Sequence, residues 1–465
     1  MRGFDKNKLY KRHSYMRQQA GYEKYFIYGV LILVCLLIIG GLLAALTHRE
    51  EGLLGRIRRE ERKKDADEGK EEAKEQDEAV EIAINNPNIR VLIMTNGYAN
   101  IVHPSVEMSS SSGFCITFGD QTQEAGAEQP LTFAPDDPRF QSGSVRISAK
   151  DGGEIALNSI QRGCGTPSYA GVIELRTTAE GIAVINELPV ETYLCRVVPS
   201  EMPYTYELEA LKAQAVCARS YAYQHMQGFA YPEYEAHVND STSYQVYGNS
   251  LPQETTNQAV AETGGQVVRY QDRLVTTYYY STSCGKTAGV EAWGTAPNAE
   301  NQYLQSVEVR DEQGDYEAGL PWYRWEAKIP AGTLSGLISQ NTGTNVGTLQ
   351  SVEVTRSGAG GVALQICATG DAGSVTVDTE NKIRRALGGS GYEIVNQEGT
   401  AVASTALLPS AFFTIRREGD VFIISGGGFG HGIGMSQNGA NEMAKKGKNY
   451  IDILTMFFHE VAVGG

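Results

Sequence analysis

The sequence predicts an α+β fold carried behind a single N-terminal membrane-spanning helix. Three observations lead there. Residues 25–47, YFIYGVLILVCLLIIGGLLAALT, contain no charged side chain. Beyond residue 88, runs such as VRISA (145–149), GVIELRT (171–177), GIAVINE (181–187), LQSVEVT (349–355) and VFIIS (421–425) have strand composition without a regular β–α–β rhythm. Helical patterns gather instead at 206–227 and 436–461. The chain has 465 residues, 41% hydrophobic and 20% charged, enough for one large or two smaller domains. A net charge of -15 argues against a broad nucleic-acid surface and requires a locally basic groove for any anionic substrate.

Residues 1–24 read as a cytoplasmic tail and 25–47 as an anchor spanning roughly 35 Å. A cleaved signal peptide is the rival, but its apolar region is shorter and ends at a small-residue cleavage site. Seven cations precede the span, Arg2 to Lys24, and seven follow it closely, Arg49 to Lys64. The positive-inside count therefore does not decide orientation. A single early span before a long C-terminal domain favours the N-terminus inside and the domain outside the cytoplasm. Residues 48–87, rich in Glu and Lys, read as a charged stalk, either a solvated helix or a flexible linker.

The folded part starts at 88. IRVLIM (89–94) reads as a strand and Asn96-Gly97 as a turn. The six cysteines from Cys115 to Cys367 form no CxxC pair and no zinc spacing. An outside location permits disulfides, and buried unpaired thiols fit equally well. Pro203 marks a boundary, after which a helix is predicted over 206–227. Leu208, Leu211, Ala215, Ala218 and Ala222 form a narrow stripe for close packing. Lys212 and Arg219 lie on an adjacent face, where spacing alone favours an ordinary solvated surface over a groove. Glu201 is placed in the loop feeding this helix. There it reads either as a carboxylate favoured by the helix N-terminus or as a tuned catalytic acid.

TTYYYSTSCGKT (276–287) reads as a strand emptying into a loop dense in hydroxyls, a common setting for a site. Aromatic rings beside hydroxyls suit sugars. VFIIS, then GGGFGHGIGMSQNGA (426–440), makes a strand–loop–helix corner with His431 among glycines and Ser436 at the helix start. No register of that loop gives the dinucleotide fingerprint GxGxxG. The glycines are expected to let something large approach the backbone.

Four segments in order, EMPYTYELEALKAQAVCARSYAY, DSTSYQVYG, YYSTSCGKT and GGGFGHGIGMSQNGANEMAKKGKNYIDIL, make the chain resemble the stage II sporulation protein D family over residues 88–465. RRALG (384–388) and LPSAFF (408–413) add to the likeness. The resemblance implies a peptidoglycan lytic transglycosylase that cuts MurNAc–GlcNAc bonds of peptide-stripped glycan strands and leaves 1,6-anhydro-MurNAc ends during engulfment. It implies that Glu201 is the catalytic acid and then base, which requires an apolar or anionic surrounding that raises its pKa. It also implies that Lys212, Gln214, Arg219, Ser281, Ser283, His431, Ser436 and Gln437 line the substrate groove, with His431 and Gln437 on the sugar. The implied partners are the sporulation amidase, stage II sporulation protein P, and the membrane protein stage II sporulation protein M. Some family members hold zinc through one His and two Cys before the QVYG motif. Here Asn239, Ser243 and Tyr244 stand in that segment, so no metal and no cofactor is expected. A non-catalytic glycan-binding activator of an amidase is the alternative, and a stationary wall anchor a weaker third.

Overall fold

The computed structural model describes residues 85–127 and 129–465. The span expected at 25–47, with the tail 1–24 and all but the end of the stalk 48–87, lies outside the described residues. Among the described residues no helix is long and apolar enough to cross a membrane. The fold class with an N-terminal spanning helix, and the single-pass membrane location with an outside domain, are therefore withdrawn. What the structure describes is a mixed α/β fold.

The first sheet grows from alternating apolar runs. Strands β1 (Asn88–Ile93), β2 (Phe114–Phe118), β3 (Gln121–Ala125), β4 (Val145–Ala149), β5 (Val172–Thr178), β6 (Gly181–Pro189) and the short β7 (Val238–Asn239) lie in the order β7-β1-β6-β5-β4-β2-β3. All neighbours are antiparallel except β1 and β7. β6 is buried along nearly its whole length, the pattern of a central strand covered on both faces.

Helix α1 (Val190–Glu201) follows β6 directly and contains Pro199. A proline there forfeits one helical hydrogen bond. The Ser200 hydroxyl nearby donates to the Arg196 carbonyl and accepts from the N–H groups of Asn249 and Ser250. Met202 is extended before Pro203 and ends the helix. Helix α2 (Leu208–His225) is buried on all sides from Ala213 to Tyr223. The expectation of a solvated face beside its small-residue stripe is thereby corrected. α3 (Glu254–Glu262) completes this layer.

A second unit, with its own core around Trp325, Leu334, Ile366, Ile383 and Ile424, is inserted between β8 (Tyr279–Tyr280) and the short strand Met435–Ser436. Its strands are β9 (Trp325–Pro330), β10 (Leu349–Ser357), β11 (Ala363–Gly370), β12 (Gly373–Asp378), β13 (Glu393–Asn396), β14 (Ala401–Ala403), β15 (Phe413–Glu418) and β16 (Val421–Gly426). They form a five-stranded sheet, β14-β13-β9-β16-β15, and a three-stranded one, β10-β11-β12. Helices α4 (Ala331–Thr342) and α5 (Glu380–Leu387) contribute to its core. Met435–Ser436, here β17, returns to pair in parallel with β8, Tyr279 opposite Met435 and Tyr280 opposite Ser436. α6 (Gln437–Lys445) and α7 (Tyr450–Phe457) follow, each with a side-chain N-cap, Ser436 and Asn449, and a last strand, Ala462–Gly464, pairs with Val267–Tyr270.

The glycines of 426–434 serve this return. A Cβ on Gly430 would stand 2.7 Å from the Tyr280 Cβ, and one on Gly434 would collide with the Tyr278 carbonyl. Both residues have left-handed φ, 120° and 77°. The large object pressed against this loop is the chain's own β8 segment. Gly434→Ala is expected to destabilise the fold by more than about 1 kcal/mol in urea denaturation. Gly447→Ala, with φ 80° but open space around it, is expected to cost less, and equal losses would contradict the packing argument.

Candidate active site

Glu201 is the last residue of α1. It therefore stands at the negative end of a helix dipole, where ionisation is disfavoured. This reverses the N-terminal reading offered by the sequence. Its Oε1 accepts the Val246 N–H at 2.6 Å, from the loop that Ser200 also docks. The Tyr279 hydroxyl stands near enough to the carboxyl to favour its charged form and accepts the Gln245 amide at 3.1 Å. Burial nevertheless dominates and pushes the Glu201 carboxyl up to about 7, against the Val246 N–H and the nearby Tyr279 hydroxyl, which favour its charged form. No cation contributes to that balance. The residue as a whole is only partly buried, so a desolvated carboxyl sits at the edge of the surface.

Six of the eight expected partners divide into three groups. Gln437, at the start of α6, donates its amide to the Glu201 carbonyl at 3.0 Å and to Gln214 Oε1 at 3.4 Å. These three residues are brought together. Ser283 and Ser436 meet instead on Glu317, a residue the sequence analysis passed over. Glu317 is 0% exposed and accepts the Ser283 N–H at 2.9 Å, the Ser283 hydroxyl, and the Ser436 hydroxyl at 2.7 Å. Burial pushes its carboxyl up to about 7 as well.

Lys212 and Arg219 form the third group and face acids of the fold. Lys212 pairs with Glu209 and Glu262 at 2.8 and 2.6 Å. Arg219 is fully buried and holds both carboxylate oxygens of Glu191 at 2.7 Å. Arg219 therefore does not line an open groove. Ser281 is partly exposed, and its carbonyl accepts the Asn438 N–H at 2.9 Å and side-chain amide at 3.1 Å.

His431 answers to the backbone. Its Nε2 lies 2.9 Å from the Tyr279 carbonyl, and its Nδ1 accepts the Ile433 N–H at 3.1 Å. The second contact fixes Nδ1 as the acceptor, so Nε2 carries the proton. Burial pushes its pKa down to about 4 and keeps the ring neutral. Both nitrogens are taken by the fold, leaving neither free for a sugar.

Two depressions of about 600 and 550 Å³ flank Arg324 and Gly426 on the inserted unit, and neither is lined by Glu201. Tyr204, three residues after Glu201, is an exposed aromatic, and Phe429 on the glycine loop is another. Phe429 is bridged to Thr282 and edge-on to Trp322. In the segment before QVYG, Asn239 is engaged with Tyr231 and Ser241. The cysteines of the described residues are all free thiols.

The described residues thus form a mixed α/β fold that presents a desolvated carboxyl braced by the return of the inserted segment to β8. A family model described as stage II sporulation protein matches residues 178–270, the segment with Glu201 and Val246. A second, described as a domain of unknown function, matches residues 290–434, which cover most of the inserted unit. Stage II sporulation protein D of Bacillus subtilis is 30% identical over 313 residues, 63% of this chain and 81% of that protein. An uncharacterized protein of Brachyspira hyodysenteriae is 30% identical over 325 residues, 70% and 77% of the two chains. The amidase enhancer of Bacillus subtilis is 28% identical over 290 residues, 56% of this chain and 39% of that longer protein. The chain belongs to the stage II sporulation protein D family, a sporulation family.

A carboxyl whose pKa rises on folding binds its proton more tightly in the native state. Its stability contribution is complete below the ordinary value of 4.5 and is lost as pH rises through about 7. His431 acts oppositely, losing its contribution as pH falls from 6.5 through about 4. The comparison of Glu317→Gln with wild type isolates the carboxyl. The variant is expected to gain on wild type as pH rises from 4.5 to 7, by at most about 1.4 kcal/mol per pH unit, and to hold a constant difference above. Urea denaturation across that range reads it, and a pH-independent difference would contradict the raised carboxyl.

Proposed function

We propose that the protein is a peptidoglycan lytic transglycosylase acting on peptide-stripped glycan strands, with Glu201 as acid and then base. The observation that carries this reading is the Glu201 carboxyl, desolvated at a helix C-terminus with no neighbouring cation and poised near neutral pH. Protonated Glu201 gives its proton to the glycosidic oxygen as the bond to C1 breaks. The carboxylate then takes the proton of the MurNAc C6 hydroxyl as that oxygen bonds C1. The product is a 1,6-anhydro end, and the enzyme's proton is restored. One carboxyl serves both steps, unlike the two-carboxylate glycosidases.

Exposed Tyr204, three residues after Glu201, offers a ring face to a sugar. Ser281 is the partly exposed hydroxyl among the expected groove residues. Gln214, Gln437, Ser283, Ser436 and His431 support the reading by holding the surrounding backbone. Lys212 and Arg219 support it by keeping α2 in place. The setting is the cell wall in sporulation, with an amidase as partner. Stage II sporulation proteins P and M are the specific partners proposed. The amidase enhancer among the relatives favours one second reading, a glycan-binding activator of an amidase that does not turn over.

Incubation with peptide-free glycan strands, read by mass spectrometry, separates the two. The wild-type protein is expected to release anhydro-MurNAc ends, and Glu201→Gln to lose at least about a hundredfold in kcat. The pH profile of kcat/KM is expected to fall away above about 7, since the first step needs the protonated acid. Binding of glycan without product in both proteins would favour the activator.

A further inference from the structure

Glu317 belongs to none of the motifs that define the site, and it is the buried group on which the site's two strands converge. β8 and β17 are each two residues long and pair in parallel, a weak ladder by itself. Each strand delivers one contact to Glu201. Tyr279 on β8 sets its hydroxyl beside the carboxyl, and Gln437, directly after β17, donates to its carbonyl at 3.0 Å. Beyond these contacts both strands run to Glu317. Ser283, three residues past β8, gives it an N–H and a hydroxyl, and Ser436 of β17 gives it a second hydroxyl. The Ser436 oxygen also caps α6 by accepting the Gly439 N–H at 3.2 Å, so strand pairing and helix start share one atom.

We infer that Glu317 is a positioning residue for Glu201: by tying Ser283 to Ser436 it holds β8 and β17 side by side, and so fixes Tyr279 and Gln437 against the acid. This rests on the reading of Glu201 given above. Glu317 touches no substrate-facing group. Around it stand Glu442 on α6 and the phenols of Tyr206 and Tyr280, and among its charged neighbours no cation balances it. Removing the carboxyl orphans the Ser283 N–H and hydroxyl and leaves the Ser436 hydroxyl only the Ser281 carbonyl at 3.4 Å, so that water is drawn into the seam. An amide in its place still accepts from the Ser283 N–H and the Ser436 hydroxyl, and it offers an N–H to the Ser283 hydroxyl.

The test reads Glu201 directly and without substrate. NMR spectra of the full chain carrying carboxyl-labelled glutamate, with the Glu201 signal identified by its loss in Glu201→Gln, give the titration midpoint. Wild type is expected near 7. Glu317→Ala is expected to lower that midpoint by about one unit or more as water reaches the loosened seam, and Glu317→Gln to restore it to within about half a unit. With glycan strands, Glu317→Ala is expected to lower kcat about tenfold at little change in KM. A folded Glu317→Ala protein with the wild-type midpoint would overturn the inference. If that variant does not fold, Ser436→Ala, which keeps the carboxyl and cuts its tie to β17, is read the same way. Anhydro ends missing from wild type, with a midpoint that still responds to Glu317→Ala, would remove the transglycosylase reading and leave the positioning role standing.

Discussion

Two strands of two residues each, from opposite ends of an inserted unit, meet in parallel, and the rest of the site hangs from that seam. Backbone pairing over so short a length is weak. The seam is reinforced from three sides. Glycines at 430 and 434 let the returning loop lie against Tyr278–Tyr280. The His431 ring bridges the Tyr279 carbonyl and the Ile433 N–H. Glu317 gathers the two serines. Each device uses a residue that a surface would rarely select: a left-handed glycine, a neutral buried imidazole, a buried acid.

The electrostatics follow one rule. Among the described residues the buried arginines are matched to acids, as Arg219 is to Glu191 and Arg162 to Asp240 at 2.6 Å. Glu201 and Glu317 have no such match, and burial pushes both toward 7. Unpaired buried carboxyls cost stability. Glu201 has an evident use for the cost, since an acid poised near neutral pH is what proton transfer to a leaving oxygen requires. Glu317 spends its hydrogen-bonding capacity on the seam that aims Glu201.

Much of this was legible in the sequence, and the reasons for the remainder are specific. The strand–loop–helix corner at 421–445, with Ser436 as its cap, follows from glycine and cap chemistry, and β5 and β6 follow from composition. Helix α1 was missed because Val197, Val198 and Pro199 argue against a helix locally, whereas burial of its apolar face against the first sheet and α2 decides it. With α1 unseen, Glu201 was attached to the wrong helix end. The glycines were assigned to an external ligand because sequence cannot say which surface approaches them. Glu317 was invisible because it lies in DEQGDYE, a run with the composition of a solvated loop. The only available signal was a single acid just ahead of the Leu320-Pro321-Trp322 segment that begins the second core. The proposed span at 25–47 rested on hydropathy alone, and the described residues contain no helix that bears it out.

The central claim is that Glu201 carries its proton near neutral pH in the resting protein. Infrared difference spectra of wild type against Glu201→Gln measure this without substrate. A protonated carboxyl C=O band is expected at about pH 6, absent from the variant and gone by about pH 9. A wild-type spectrum at about pH 6 showing only carboxylate at this position would contradict it.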